Sequence, residues 1–348
     1  MFENKDSRTE ISSLGEFGLI RHLTGFITMR NPSTVKGPGD DAAVIDRGNH
    51  YEVVTTDLLL EGVHFDLSYT PLKHLGYKAI MVNLSDVYAM NAMPSQVLVS
   101  IGLSNRFALE SVEELYSGIL LACETHGVDL AGGDTSTSQS GLVLSVTALG
   151  RVEKDKVVFR STAREHDLIC VSGDLGAAYV GLQILKREKQ VFMDNPAIQP
   201  DLGGNDYVLE RQLKPEARQD VIRLLSDSVV IPTSMIDISD GLSSELFHIC
   251  TESSKGCRIY EDKIPMDAQV LTRSEEFGLH PLVCALNGGE DYELLFTIRQ
   301  EDFEKVKPLD EITVIGHITS EDAGLVLVSK EGMETPLKAQ GWDSIKSS

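Results

Sequence analysis

YEVVTTDLLL, residues 51–60, is an apolar run rich in β-branched residues, and its succession by a helical segment decides the fold class. Residues 74–93 carry Leu75, Ile80, Leu84, Val87 and Met90 at helical spacing, with Pro94 expected to close that helix. The order strand then helix repeats. QVLVSIGL (96–103) reads as a strand, and residues 109–126 read as a helix with Val112, Leu115, Ile119 and Leu120 on one face and a stop at Gly127. Residues 140–152 give a further strand, and the unit ends near residue 155. A second unit opens on DLICVSG (167–173), followed by a helix to about residue 187 and a breaker-rich surface loop or lid at 190–207. Next come a Pro-started helix at 215–227 and a helix opened by a cap-like Ser239-Asp240 and running to about 254. Strands at 293–298, 312–318 and 324–328 complete it. The chain is expected to form two α/β domains, residues 1–155 and 156–348.

Length agrees, since 348 residues suit two domains at roughly 100–200 residues each. Lys+Arg 31 against Asp+Glu 53 gives a net charge of -22, a field that repels nucleic acid and anionic membrane surfaces. It also opposes ATP and any phosphorylated metabolite unless something inverts the local sign. The N-terminal residues mix charges with no apolar core of a signal peptide, and no apolar run reaches membrane-spanning length. Five cysteines, an odd number with no C-x-x-C, fit reduced thiols in the cytoplasm.

Six acidic segments stand in Gly- or hydroxyl-rich turns against apolar strands: GPGDDA (37–42), TTD (55–57), NLSD (83–86), AGGDTSTS (131–138), DISDGL (237–242) and NGGEDYEL (287–294). Any one Asp there has an alternative role as an Asx-turn or helix cap. Two carboxylates converging at about 4 Å repel by on the order of 4 kcal/mol at an effective dielectric of 20, so a shared site needs cations. An all-oxygen donor set points to Mg²⁺ or Mn²⁺ rather than Zn²⁺. Asp86 sits three residues after Asn83, on one face of a helix, where a solvated face is the alternative.

GPGDDA matches G-x-G-x-x-A but lacks a preceding strand, and Asp40 and Asp41 would repel a pyrophosphate on that turn. A P-loop and the protein-kinase motif set are absent. Nucleotide chemistry here would run on metal-bridged carboxylates.

The ordered set GPGDDAAV, TTDLLLEGVHF, NLSDVYAM, AGGDT, DISDGL, GGEDYEL and a late Gly-Trp resembles the thiamine-monophosphate kinase family, of the aminoimidazole-ribonucleotide-synthetase-like superfamily, over residues 13–343. Tyr88, where the family usually has a smaller residue, and the long 190–207 segment depart from it. The resemblance implies a two-domain α/β (α+β) fold, a homodimer pairing its N-terminal domains through a β-sheet interface, and ATP-dependent phosphorylation of thiamine monophosphate. It implies that Asp40, Thr55, Thr56, Asp57, Asp86, Asp134, Asp237 and Asp240 hold several Mg²⁺ ions. Tyr116, Gly133, Asp134, Arg160 and Ser239 would contact ATP; His64, Glu290 and Trp342 would meet the thiamine moiety. For Arg160 the alternative is an ordinary surface residue, for His64 a loop histidine, for Tyr116 core packing and for Trp342 a hydrophobic plug. Two other functions stand beside the kinase: another ATP-dependent synthetase or dikinase of the superfamily, and a non-catalytic acidic metal-binding module. Selenide chemistry normally needs a reactive cysteine near the N-terminus, and the first here is Cys123.

Overall fold

The computed structural model of the chain describes residues 10–338. After α1 (Gly15–Thr24), the strands β1 (Thr34–Lys36), β2 (Ala43–Asp46), β3 (Tyr51–Leu60), β4 (Met93–Leu103), β5 (Asp129–Thr137) and β6 (Val143–Val152) form one sheet in the order β1-β2-β3-β6-β4-β5. β3 and β6 pair antiparallel along their whole length, from Tyr51 opposite Val152 to Leu60 opposite Val143. β4 and β5 are parallel, which requires a crossover; α3 (Leu109–His126) supplies it. On β6 every second residue, Leu144, Val146 and Ala148, is buried, the period expected of a sheet covered on one face.

α2 (Leu72–Ala89) connects β3 to β4 and is buried along most of its length, because it packs on β3 and β6, on α3 and on the second sheet at once. Its approach to α3 is close enough to require glycine. A Cβ on Gly76 would lie 2.0 Å from the Leu115 carbonyl oxygen, and one on Gly118 1.8 Å from that of Lys73.

The second sheet contains β7 (Leu168–Ser172), β8 (Ser234–Asp237), β9 (Gly256–Tyr260), β10 (Leu294–Ile298), β11 (Ile312–Thr319), β12 (Leu325–Val328) and β13 (Glu334–Pro336), in the order β13-β12-β9-β11-β7-β10-β8. Its helices are α4 (Ala177–Asp194), α5 (Asp206–Leu213), α6 (Gln219–Asp227), α7 (Leu242–Ser253), α8 (Ala268–Glu276), α9 (Pro281–Asn287) and the short α10 (Phe303–Val306). The larger apolar core runs through both sheets: Leu84 and Val87 of α2 belong to the same cluster as Met235 of β8 and Phe296 of β10. That continuity fixes the last turns of α2 against the end of β8. No helix among the described residues is long and apolar enough to cross a membrane.

Strands 51–60, 96–103 and 167–173 and helix 109–126 appear where the periodicity puts them, and Gly127 ends α3 in the left-handed conformation at φ 65°. Several expectations are corrected. Pro94 does not end α2, which stops at Ala89; Pro94 lies near the start of β4, beside a register shift that tolerates its missing N–H. AGGDTSTS is not a turn but most of β5, held extended by its ladder with β4. TTD likewise lies inside β3. The breaker-rich stretch is shorter than 190–207, since α4 runs to Asp194 and α5 starts at Asp206. Pro215 does not start α6; the helix begins at Gln219, after Arg218 is tied to Asp220, Glu293 and Glu311. Ser239 and Asp240 do not cap α7, whose N-cap is Gly241 at φ 114° with no side-chain hydrogen bond. Leu120 turns outward from α3.

Candidate active site

Four chain segments converge where α2 crosses between the sheets. On β3, Thr55 lies on the buried face with Val53 and Leu59, and Asp57 shares that parity. α2 faces them with Asn83, Ser85 and Asp86. From the second sheet, β8 delivers Asp237 at its last position. The turn before β2 adds Asp41. One carboxylate oxygen each from Asp41, Asp86 and Asp237 lies within 4.8 Å of the others.

Each acid is oriented by a neutral or cationic donor. Thr55 Oγ1 donates to Asp86 Oδ2 at 2.6 Å, and Ser85 Oγ donates to Asp237 Oδ2 at 2.7 Å. The backbone N–H of Asp57 donates to Asn83 Oδ1 at 3.2 Å, while Asn83 Nδ2 donates back to the Ala79 carbonyl at 3.0 Å. Asp41 accepts two bonds from Arg160, from Nη2 at 2.6 Å and from Nε at 3.1 Å. The Arg160 backbone is pinned in turn: its N–H donates to Asp40 Oδ1 at 3.2 Å, and its carbonyl accepts from Ser234 Oγ and Ser253 Oγ at 2.7 and 3.1 Å.

Three carboxylates this close are short of positive charge. At 4.8 Å and an effective dielectric of 20, one pair repels by roughly 3–4 kcal/mol, and a single arginine partner is present. Burial, then Asp41, pushes Asp237 up to about 8 against the pull of Ser85 and Arg160. Burial with Asp57, Asp237 and Asp41 holds Asp86 well above the usual carboxylate range, and burial alone lifts Asp57 to about 6. Asp57 Oδ2 is buried with no hydrogen-bond partner. All-oxygen donors, oriented by hydroxyls, fit a hard divalent cation such as Mg²⁺.

Next to this cluster is a cavity of about 290 Å³, whose lining includes His64, Lys78, Tyr179, Ser239, Asp240 and Glu290. Residues 237–240 run from one to the other: Asp237 belongs to the carboxylates, Ser239 and Asp240 to the cavity wall. His64 Nδ1 accepts the Leu60 N–H at 2.9 Å, and burial holds its pKa down, so the ring is neutral with its proton on Nε2. Glu290 sits at φ 59°, its N–H donating to the Ser239 carbonyl at 2.7 Å. A larger recess of about 550 Å³ between residues 154–164 and 299–305 is lined by none of these acids.

The expected residues therefore divide. Thr55, Asp57, Asp86, Asp237 and Arg160 gather at the cluster; His64, Ser239, Asp240 and Glu290 gather at the cavity. Asp40 stands beside the cluster, bound to the Arg160 N–H and 3.4 Å from Lys36 Nζ, and burial lifts it to about 6. Its neighbour Asp41 takes the place among the three. Thr56 points to the opposite face, its Oγ1 donating to the Val146 carbonyl and accepting from Thr147. Asp134 shares that opposite face. It lies on edge strand β5, in one row with Ser100, Ser145 and Leu58, three strand spacings or about 14 Å from β3. Gly133 serves β4, for a Cβ there would lie 1.8 Å from the Val99 carbonyl oxygen. Tyr116 packs half-buried against the core on α3. Trp342 lies outside the described residues.

Four participants do not stand out in the sequence: Ser85, Lys78, Gln212 and Glu245. Glu245 of α7 is buried and accepts the Asp240 N–H at 2.9 Å, and burial with Asp240 raises its pKa strongly. A lysine flanked by the buried Tyr77, Ala79, Ile80 and Met81 is the available signal for Lys78.

The family described as AIR synthase related protein, N-terminal domain, matches residues 39–152. The thiamine-monophosphate kinase of Bacillus subtilis (strain 168) is 33% identical over 341 residues, 96% of this chain and 100% of that protein. That of Aquifex aeolicus (strain VF5) is 33% identical over 332 residues, 95% and 98% of the two. The solved structure described as AaThiL complexed with AMPPCP and TMP superposes with a TM-score of 0.81 at 32% identity, covering 97% of this chain and 99% of that one. Hydrogenase maturation protein HypE in complex with ATP, at 19% identity and a TM-score of 0.67, shares the fold. Over nearly its whole length, the chain belongs to the thiamine-monophosphate kinase family.

Proposed function

We propose that the chain transfers the γ-phosphoryl group of ATP to the phosphate of thiamine monophosphate, giving ADP and thiamine diphosphate. The observation that carries this reading is the contiguity of the oriented carboxylates with the cavity through residues 237–240. It is supported by the related structure that carries AMPPCP and TMP. The acceptor is a phosphate monoester with a second pKa of about 6, so it is already anionic at neutral pH and needs no general base. Its oxygen attacks the γ-phosphorus in line as the bond to the bridging oxygen of ADP breaks.

Asp41, Asp57, Asp86 and Asp237 are the residues that would hold Mg²⁺ at this cluster, with Asp40, Thr55 and Asp240 as further ligands brought forward from the family resemblance; Thr56 and Asp134, which the resemblance also names, lie on the other face of the first sheet, away from this cluster. Bound Mg²⁺ would neutralise the phosphate oxygens of donor and acceptor. The hydroxyls of Thr55 and Ser85 keep the carboxylates aimed, and Arg160 supplies the cationic side chain nearest them. Tyr116, Gly133, Asp134, Arg160 and Ser239 are the proposed ATP contacts; His64, Glu290 and Trp342 are those to the thiamine moiety. Asp134 and Gly133 stand on the edge of the first sheet, which suits a homodimer paired through that sheet. All five cysteines are buried and free, in keeping with a reducing compartment such as the cytoplasm.

The test is product analysis with ATP, Mg²⁺ and a panel of acceptors: thiamine monophosphate, thiamine and pyridoxine. Formation of ADP and thiamine diphosphate from thiamine monophosphate alone supports the reading. Turnover of another acceptor, or cation binding without any turnover, overturns it in favour of a different synthetase or a metal-binding module.

A further inference from the structure

One charged group in the cavity wall has no part in the phosphoryl transfer itself. Lys78 lies on α2 two turns before Asp86, among Tyr77, Ala79, Ile80 and Met81, all buried. Its side chain is 4% exposed. Nζ donates to the Gln212 carbonyl at 3.0 Å and stands 3.0 Å from Glu290 Oε1. Gln212 of α5 then donates through Nε2 to Glu290 Oε2 at 2.7 Å. Each oxygen of Glu290 is thus held by a different donor from a different helix.

The backbone of Glu290 adds to the constraint. Gly289, Glu290 and Tyr292 have φ of 71°, 59° and 51°, a left-handed conformation unfavourable for Glu and Tyr that the surroundings enforce. Burying a lysine beside a partly exposed glutamate is a poor way to gain stability, because desolvation offsets the attraction and an apolar residue would serve as well. What the arrangement supplies is direction. A carboxylate has about four lone-pair positions, and Lys78 and Gln212 occupy one on each oxygen, leaving acceptors for a ligand in the cavity.

We propose that Lys78 and Gln212 are positioning residues that hold Glu290 as a fixed acceptor for the N–H groups or the cationic ring of the heteroaromatic part of the substrate. This rests on the reading that the cavity takes thiamine monophosphate. The positioning itself is a property of this chain's α2 and α5.

The experiment measures the Kd of thiamine monophosphate by calorimetry, and KM for both substrates, in wild type, Lys78→Met, Lys78→Arg, Gln212→Leu, Glu290→Gln and the double variant Lys78→Met/Glu290→Gln. Loss of one oriented hydrogen-bonding partner should raise the Kd and KM for thiamine monophosphate by about 10-fold in Lys78→Met, with kcat falling less and the ATP KM unmoved. Lys78→Arg should recover most of the affinity. Adding Lys78→Met to Glu290→Gln should weaken binding by less than about 2-fold, because the two act through one group. An unchanged Kd in Lys78→Met and Gln212→Leu overturns the proposal, as does full additivity in the double variant. A merely structural lysine would lower the melting temperature and the active fraction without moving the substrate KM. Gln212→Leu repeats the measurement should Lys78→Met not fold. Wild-type protein that neither binds nor phosphorylates thiamine monophosphate refutes the functional reading instead, and does so before any variant is made.

Discussion

Arg160 grips Asp41 with two parallel bonds, Nη2 to Oδ1 and Nε to Oδ2, while Asp41 is also one of the three carboxylates that crowd to within 4.8 Å. The guanidinium is therefore the counter-charge of the cluster, and a divalent cation at the cluster would compete with it for the same oxygens.

This makes the two partners unequal. Arg160→Gln leaves Asp41 beside Asp86 and Asp237 with no cation, whereas Asp41→Asn strands Arg160 but relieves a repulsion. Breaking a buried pair costs about 3–5 kcal/mol, and the larger loss is expected for Arg160→Gln. Urea denaturation in EDTA and in excess Mg²⁺ checks it: Mg²⁺ should restore much of the stability of Arg160→Gln and little of that of Asp41→Asn. Equal losses with no response to Mg²⁺ would refute the counter-charge role.

The raised carboxylates give a second expectation, with a definite sign. Asp57 and Asp237 titrate at about 6 and about 8 in the folded chain, above their ordinary 3.8, because burial penalises their ionised forms. Between these values and 3.8 the folded state holds protons that the unfolded chain has released. Without cations their contribution is fully present below pH 3.8 and is lost as pH rises through about 6 to about 8. Mg²⁺ favours the ionised forms, so the stabilisation it gives should grow across the same window. Denaturation midpoints with and without Mg²⁺ across that range measure it; a Mg²⁺ effect independent of pH contradicts it.

How much of this is legible in the sequence depends on the range of each interaction. Asp57 and Asp237 stand out because each interrupts a local apolar pattern with an acid, a signal carried by its own neighbours, whereas Asp86 is less obvious inside its helical pattern and is marked only by Asn83 three residues earlier on the same face. Asp41 and Asp40 are adjacent and locally equivalent, and only the docking of Arg160, 119 residues away from Asp41, tells them apart. Lys78 and Gln212 meet across 134 residues. The start of α6 is hidden for a similar reason, since Arg218's ties to Glu293 and Glu311 are invisible in a local window. AGGDTSTS carries turn-forming residues, and only pairing with β4 draws it straight.

The hydroxyls behind the acids supply a third expectation. Thr55 and Ser85 each donate one short bond, to Asp86 and Asp237. Removing such an outer partner typically costs about 10–100-fold in metal affinity or activity. Thr55→Val and Ser85→Ala should each raise the Mg²⁺ concentration for half-maximal ADP formation by about 10-fold, with direct Mg²⁺ titration in the presence of ATP moving alongside. Unaltered Mg²⁺ dependence in both would remove these hydroxyls from the site.

The last expectation concerns what holds α2 in place. A Cβ at position 118 would lie 1.8 Å from the Lys73 carbonyl oxygen and 2.9 Å from the Tyr77 nitrogen, so Gly118→Ala must part α2 from α3 by roughly 1 Å or more. α2 is fixed on its other side by β3, β6 and β8, while α3 reaches the first sheet mainly through the single crossover to β5. α3 should therefore be the helix that moves. The cost is expected at about 3 kcal/mol, the upper end for overpacking. Because α2 carries Lys78, Asn83, Ser85 and Asp86, the folded fraction should keep its Mg²⁺ dependence and substrate KM. Urea denaturation paired with kinetics at a temperature where the variant is folded separates the two effects. A raised Mg²⁺ requirement would show that α2 had shifted instead, and undiminished stability would show that the helices do not approach so closely.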